Sequence, residues 1–285
     1  MEPITLSFSV KTATHRRDDP RAEQADKEFA GRRKRAIARD GWRCRACGCP
    51  SRPAPGHPSG GLEVHHLDDD HHNNALANLV TLCPLCHGIL HIGWTARHRP
   101  GRFIWLPEMG QERLNMLVHM AAIARHRAGE ETNPGERPRA AGTSRRGNED
   151  ERTPSTRLAG NLAALHARLA GIAPPARLLV GADGTELGSL LTSQPWSLGA
   201  ILGRLAREGR RDAAGLDRLF GGLRWLYDLE ADERAPVYSA CQAWAPGAGW
   251  AAAWMREGLR CRGRLLRERV QKPGGAARRA TGGDT

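Results

Sequence analysis

No stretch of the chain reaches the roughly 18 consecutive apolar residues that a membrane-spanning helix needs, so none is expected. The N-terminus, MEPITLSFSVKTATHRR, places its apolar residues ahead of its basic ones. A secretory signal has the reverse order, and a cytoplasmic protein is expected. Apolar residues are scarce for a compact globule: they make up 40 % of the 285 residues, beside 33 Gly and 18 Pro. Part of the length should therefore lie outside any folded core. Acidic residues are outnumbered, 31 Asp and Glu against 43 Lys and Arg. The net charge of +12 favours an anionic partner: nucleic acid, an acidic protein surface or an anionic membrane. The cysteines number seven, and an odd count argues against a disulfide scaffold. Metal-bound thiolates in a reducing compartment account for them better.

What is there is concentrated between residues 44 and 91. Cys44 and Cys47 form one CxxC pair, and Cys83 and Cys86 another. Two such pairs suit one tetrahedral zinc held by four thiolates, a structural site that contributes folding energy directly. Cys49 sits too close to the first pair to be the natural fourth ligand. Between and beyond the pairs lie His65, His66, Asn78, His87 and His91. Leu62-Glu63-Val64-His65-His66-Leu67 reads as strand, so its two histidines face opposite sides. Pro84 to His91 reads as a short helix with proline near its start, which puts His87 and His91 on one face. His65, His87 and His91 can then converge on a second divalent ion, Mg2+, Mn2+, Ni2+ or Zn2+. Their imidazoles lean toward the softer of these. His66 is placed to take a proton from water, with Asn78 fixing its orientation. A general base beside a metal is what phosphodiester hydrolysis requires.

The rest of the chain is organised around that stretch. Ile4, Leu6, Phe8 and Val10 alternate with polar residues, the period of a half-buried strand. Ala25 to Asp40 reads as a helix with Phe29, Ala30, Ile37 and Ala38 inward. Arg32, Arg33, Lys34, Arg35 and Arg39 cover the rest, either solvated or against phosphate or an acidic partner, and Gly41 marks the stop. Residues 101–109 read as a strand ended by Pro107. Gln111 to Arg127 reads as an amphipathic helix carrying Leu114, Leu117, Val118, Ala121, Ala122 and Arg125 in neighbouring positions, with Ile123 also available. Residues 128–156 are expected to be a flexible linker. Helices are expected over Arg157–Ala170, Leu198–Glu208 and Leu216–Leu229, and a strand over Ala176–Val180. With Trp244, Trp250 and Trp254 they would make a mainly helical second unit, 157–270, followed by a disordered tail, 271–285. The fold class expected is α+β: a small zinc-stabilised core within 1–127, with flanking strand and helices, and the helical unit after it.

The runs R-D-G-W-R-C-R-A-C-G, V-H-H and N-L-V-T-L-C-P-L-C-H with the closing His91 resemble the HNH nuclease family and its ββα-metal fold. That resemblance implies metal ligands at His65, His87 and His91, a general base at His66 and the central asparagine at Asn78. His65 stands where many members carry Asp. A wider resemblance covers about residues 3–125. I-T-L-S-F-S-V-K-T, H-H-N-N-x-x-x-N-L-V-T and W-L-P-E-M-x-Q-E-x-L-N-M-L are similar to the IcmJ/DotN proteins of type IVB secretion systems. The segment Leu106 to Gln111 is not part of the generic nuclease motif and so discriminates between the two. The IcmJ/DotN resemblance implies an HNH-like fold used as a zinc-stabilised scaffold in the coupling complex at the inner membrane. Its partners would be the coupling ATPase and secretion-complex proteins. Three functions are thus open: an adaptor, an HNH endonuclease acting on DNA, and a non-catalytic nucleic-acid binder.

Overall fold

The computed structural model describes residues 4–8, 22–54, 56–132, 154–174, 187–207 and 220–229, with Arg256 and Arg260. Helix α1 spans Ala22–Arg39. Its end is set by backbone chemistry. Gly41 adopts φ +62°. Its N–H bonds the Ala38 carbonyl at 3.0 Å, and the Trp42 N–H reaches back to Ile37 at 3.1 Å. This paired closure needs a left-handed residue, and glycine takes that conformation without a Cβ penalty. The inward face of α1 is Ala36 and Ile37, with Phe29 half-buried, whereas Ala30 and Ala38 are exposed, contrary to expectation. Arg33 and Arg39 are not merely solvated. Arg33 donates to the Leu62 carbonyl at 2.9 Å and Arg39 to the Leu79 carbonyl at 2.6 Å.

Two short antiparallel sheets carry the centre. Strands β1 (Glu63–His66) and β2 (Leu79–Leu82) pair with His65 opposite Val80 and His66 opposite Leu79. The next elements are α2 (Pro84–Leu90) and, unforeseen in the sequence, α3 (Ile92–His98). Strand β3 (Gly101–Trp105) follows, then α4 (Gln111–Thr132) and α5 (Pro154–Ala170). Helices α6 (Leu187–Ser193) and α7 (Ser197–Arg207) precede β4 (Leu223–Tyr227).

Strand β4 overturns the helix expected over Leu216–Leu229. Residues 223–227 pair antiparallel with β3, Phe103 opposite Trp225 and Trp105 opposite Leu223. A short apolar run has no periodicity that separates a buried strand from a buried helix, and β3 offers it an edge. Sequence-distant residues therefore share one apolar cluster with the cysteine region: Leu162, Leu165 and Leu169 of α5 and Trp225 of β4 sit in it with Leu82, Ile89 and Leu114. The architecture is mixed helix and strand with small sheets. Helix α4 runs on to Thr132 and α5 starts at Pro154, so helix covers both ends of the stretch expected to be linker. Residues 133–153, the strand expected at Ala176–Val180, Trp244, Trp250, Trp254 and the tail 271–285 lie outside the described residues.

Residues 4–8 form no strand, although the expected alternation survives as burial. Leu6 and Phe8 point inward, and Phe8 meets Phe103 and Phe220 edge-on at 5.8 and 6.4 Å. The Ile4 N–H bonds the Arg45 carbonyl at 3.0 Å, which lays the segment beside the first cysteine pair. No helix of the described residues is long and apolar enough to cross a membrane.

Asp40 joins α1 to the cysteine region. Its side chain is fully buried and accepts from Arg39 Nε and Nη2 at 2.9 Å, Arg45 Nη1 at 3.4 Å and the Thr81 N–H at 3.1 Å. Burial alone would raise this carboxyl, but the hydrogen bonds from Arg39 and Thr81 and the Arg39 charge outweigh it and hold the group below its ordinary value. A depressed native pKa stabilises the fold above the unfolded value, and that stability is lost as pH falls through the native one. Asp40→Asn should cost about 1–3 kcal/mol near neutral pH. In denaturant titrations its deficit against wild type should hold steady down to about pH 4 and shrink below it. A deficit independent of pH down to acid would contradict this account.

Candidate metal centre

The first cysteine pair lies in a tight turn. The Gly48 N–H bonds the Cys44 carbonyl at 2.9 Å, and the Arg45 N–H bonds Thr81 at 2.8 Å, which holds the turn against β2. The second pair opens α2. Cys83 is the N-cap, its Sγ accepting from the Cys86 N–H at 3.4 Å, and Pro84 takes the first helical position, where its missing N–H costs nothing. The four thiols of Cys44, Cys47, Cys83 and Cys86 are buried, and their sulfurs all lie within 4.8 Å of one another.

These residues fit a metal ion. Cys47 Sγ and Cys83 Sγ are 3.7 Å apart, too far for a disulfide. Zinc–sulfur bonds of about 2.3 Å in a tetrahedron give an edge near 3.8 Å. The cluster can hold a metal ion such as zinc, which would supply structural cross-linking rather than reaction chemistry. Burial raises the thiols of Cys47, Cys83 and Cys86. Hydrogen bonds within the group push Cys47 and Cys86 well above the ordinary thiol range and draw Cys83 well below it. Cys49 is buried beside the cluster, 3.6 Å from the Pro50 carbonyl, and is not in the four-sulfur set.

Helix α4 supplies a feature that the sequence reading missed. Gln111, Asn115 and His119 are buried and stand four residues apart, a polar stripe among the buried apolar side chains of the helix. Gln111 donates to the Trp225 carbonyl and accepts from its N–H, at 2.9 and 2.8 Å. Asn115 Nδ2 donates to Cys86 Sγ at 3.3 Å, and His119 Nε2 lies 3.1 Å from Cys83 Sγ. Four thiolates around a dication leave two negative charges, and these two groups are placed to donate toward them. Outer partners of this kind typically carry about 10- to 100-fold of metal affinity. His119→Ala should accordingly weaken zinc retention by about that factor in a chelator competition. The signal available in the sequence was the Q-x-x-x-N-x-x-x-H spacing inside the apolar face.

The histidines divide as the strand alternation requires. His65, His87 and His91 bring one ring nitrogen each within 4.8 Å of the others, with His65 buried and the other two half-buried. Their ring centroids are 4.6 to 5.9 Å apart. Glu63 Oε2 meets His87 Nδ1, and Asp69 Oδ1 lies 3.6 Å from His65 Nε2. Burial raises the Glu63 carboxyl, but the hydrogen bond and charge of His87 win and hold it below its usual range.

His66 faces away. Its Nε2 meets Asn74 Oδ1 at 2.9 Å, and its ring sits 5.0 Å from Phe29 of α1 and 5.2 Å from His71. The residue is 3 % exposed. His66 is therefore held by Asn74, not by the Asn78 expected from the sequence. Asn78 instead pins the turn between β1 and β2. It donates to Asp68 Oδ1 at 2.8 Å and the Asn73 carbonyl at 2.9 Å, and accepts from the Asp68 N–H at 3.1 Å.

Helix α2 is locked from below by β4. Tyr227 Oη donates to the Leu85 carbonyl at 2.8 Å. A Cβ at Gly88 would stand 2.5 Å from that hydroxyl, so glycine is required where the two elements meet.

No protein-family model matches the chain. It is similar to the type 4 apparatus protein DotN of Legionella pneumophila, with 31 % identity over 105 residues. The match covers 36 % of this chain and 46 % of DotN, so the chain spans about half the length of the curated relative it matches.

Proposed function

We propose that this chain is an HNH-like, ββα-metal scaffold working as an adaptor in a type IVB-like secretion or conjugation coupling complex. Cys44, Cys47, Cys83 and Cys86 hold a structural zinc, and His65, His87 and His91 hold a second divalent ion. Its partners are the coupling ATPase and secretion-complex proteins, on the cytoplasmic side of the inner membrane. The observation that carries this reading is the similarity to DotN. The enclosure of His66 between Phe29, His71 and Asn74 agrees with it, since a buried, hydrogen-bonded imidazole is poorly placed to activate water. Co-expression with the cytoplasmic part of the coupling ATPase of the same apparatus tests it. A complex that survives gel filtration is expected, and separate elution of the two proteins would overturn the adaptor role.

The convergence of three imidazoles beside β1 favours one other reading, an HNH endonuclease hydrolysing DNA, with His66 as general base and Asn78 as the central asparagine. The two readings differ in a simple assay. Plasmid incubated with the wild-type protein and Mg2+, Mn2+, Ni2+ or Zn2+ should stay supercoiled. Nicking that falls by about 100- to 10,000-fold in His66→Ala, with the cysteine-bound zinc retained, would establish the enzyme instead.

A further inference from the structure

We infer that Glu63 and Asp69 are the positioning residues of the histidine site, fixing which nitrogen of His87 and of His65 faces the ion. The inference rests on the second-ion reading proposed above. Metal-bound histidines usually give their other ring nitrogen to a carboxylate, which sets tautomer and ring orientation and raises ligand basicity. Glu63 makes that contact here, and Asp69 stands just beyond hydrogen-bond distance of the second histidine. Glu63 holds His87 Nδ1, which leaves Nε2 for the ion. Asp69 Oδ1 stands 3.6 Å from His65 Nε2, which leaves Nδ1. The two anchors have independent origins. Glu63 lies on β1 itself, two residues before His65, where alternation puts both side chains on one face. Asp69 comes from the turn after β1, at φ +62°, a left-handed conformation in which aspartate is over-represented.

Asn78 acquires a role through the same geometry. By bonding Asp68 and Asn73 it fastens the turn that presents Asp69. The asparagine thus acts at the ion site through the loop and not through His66. The two carboxylates also balance the charge of a dication held by three neutral imidazoles. The ion then sits in a charge-compensated cage that suits an imidazole-preferring divalent metal such as Zn2+ or Ni2+.

Full-length protein carrying zinc at its cysteines, titrated with Zn2+ or Ni2+ in a calorimeter, provides the test. Wild type should take up one further equivalent. Glu63→Gln and Asp69→Asn should each weaken that second binding by about 10- to 100-fold while the cysteine zinc stays at one equivalent. Ring-nitrogen NMR of the Zn2+-loaded protein should show coordination through Nε2 of His87 and Nδ1 of His65. That assignment is one a merely structural role for the carboxylates would not dictate. Wild-type affinity in both variants, or the opposite nitrogens on the metal, overturns the inference and leaves the second ion standing. Uptake of no second equivalent by wild type overturns both.

Discussion

Cys83→Ser should abolish stable folding around the cysteine cluster, with zinc content falling from one equivalent to none and near-ultraviolet circular dichroism collapsing. Apparent binding free energies at structural zinc sites are on the order of 10–16 kcal/mol, and whole domains are stable by about 5–15 kcal/mol. Loss of the metal therefore outweighs the net stability that the rest of the fold supplies. Cys83 is the sharpest place to cut. It caps α2 by accepting from the Cys86 amide, and His119 reaches it from α4, so two helices meet on one sulfur. Serine keeps an acceptor for the cap. The expected loss is therefore attributable to the metal and not to the helix start. Cys49→Ser is the control: it too is buried, but it stands outside the four-sulfur set and should leave zinc bound. A Cys83→Ser protein that keeps its zinc and its cooperative melt would show that the four thiols hold no structural ion.

The cysteine and histidine sets were legible in the sequence because their chemistry is tied to spacing. CxxC at the mouth of a turn and at a helix start, and HxxxH along a helix, each map to one geometry, and the structure brings both groups together. Asn74 was not legible, and His119 only through its spacing from Gln111 and Asn115. A lone polar residue looks the same in sequence whether it faces solvent or a buried imidazole or sulfur, and only the packing of α1 and α4 decides which. Helix α3 was hidden for a related reason. His91 closes α2 and starts α3, its carbonyl accepting from Trp94 and Thr95 at 2.9 Å, so no glycine or proline separates the two helices. The role of Leu106 to Gln111 became clear only with β4. Gln111 bonds both backbone groups of Trp225, and Arg224 Nε donates to the Met109 carbonyl at 2.6 Å. Residues about 115 positions apart make these contacts, and no local pattern can show such a pairing.

Trp225→Ala is the second substitution expected to act strongly, and it tests β4 where the sequence was misread. The indole is fully buried, 5.0 Å from the Phe103 ring and 6.1 Å from Tyr227, on a strand that Gln111 grips from α4. Truncating a buried tryptophan typically costs about 3–5 kcal/mol, through lost transfer energy and the cavity left behind. At about 2–4 °C per kcal/mol for a protein of this size, the melting temperature should fall by roughly 6–20 °C. The loss should spread beyond β4, because Tyr227 props α2 through Leu85 and α2 carries Cys86 and His87. Chelator should therefore strip zinc from Trp225→Ala faster than from wild type. Trp225→Phe separates packing from polarity. Nε1 of the indole makes no hydrogen bond, so phenylalanine forfeits volume alone and should recover most of the stability. Were the side chain of Trp225 exposed to solvent, alanine would cost little more than about 0.5 kcal/mol and zinc release would not change. A large, zinc-coupled loss in alanine with near-recovery in phenylalanine is the pattern that a buried strand paired with β3 requires at this position.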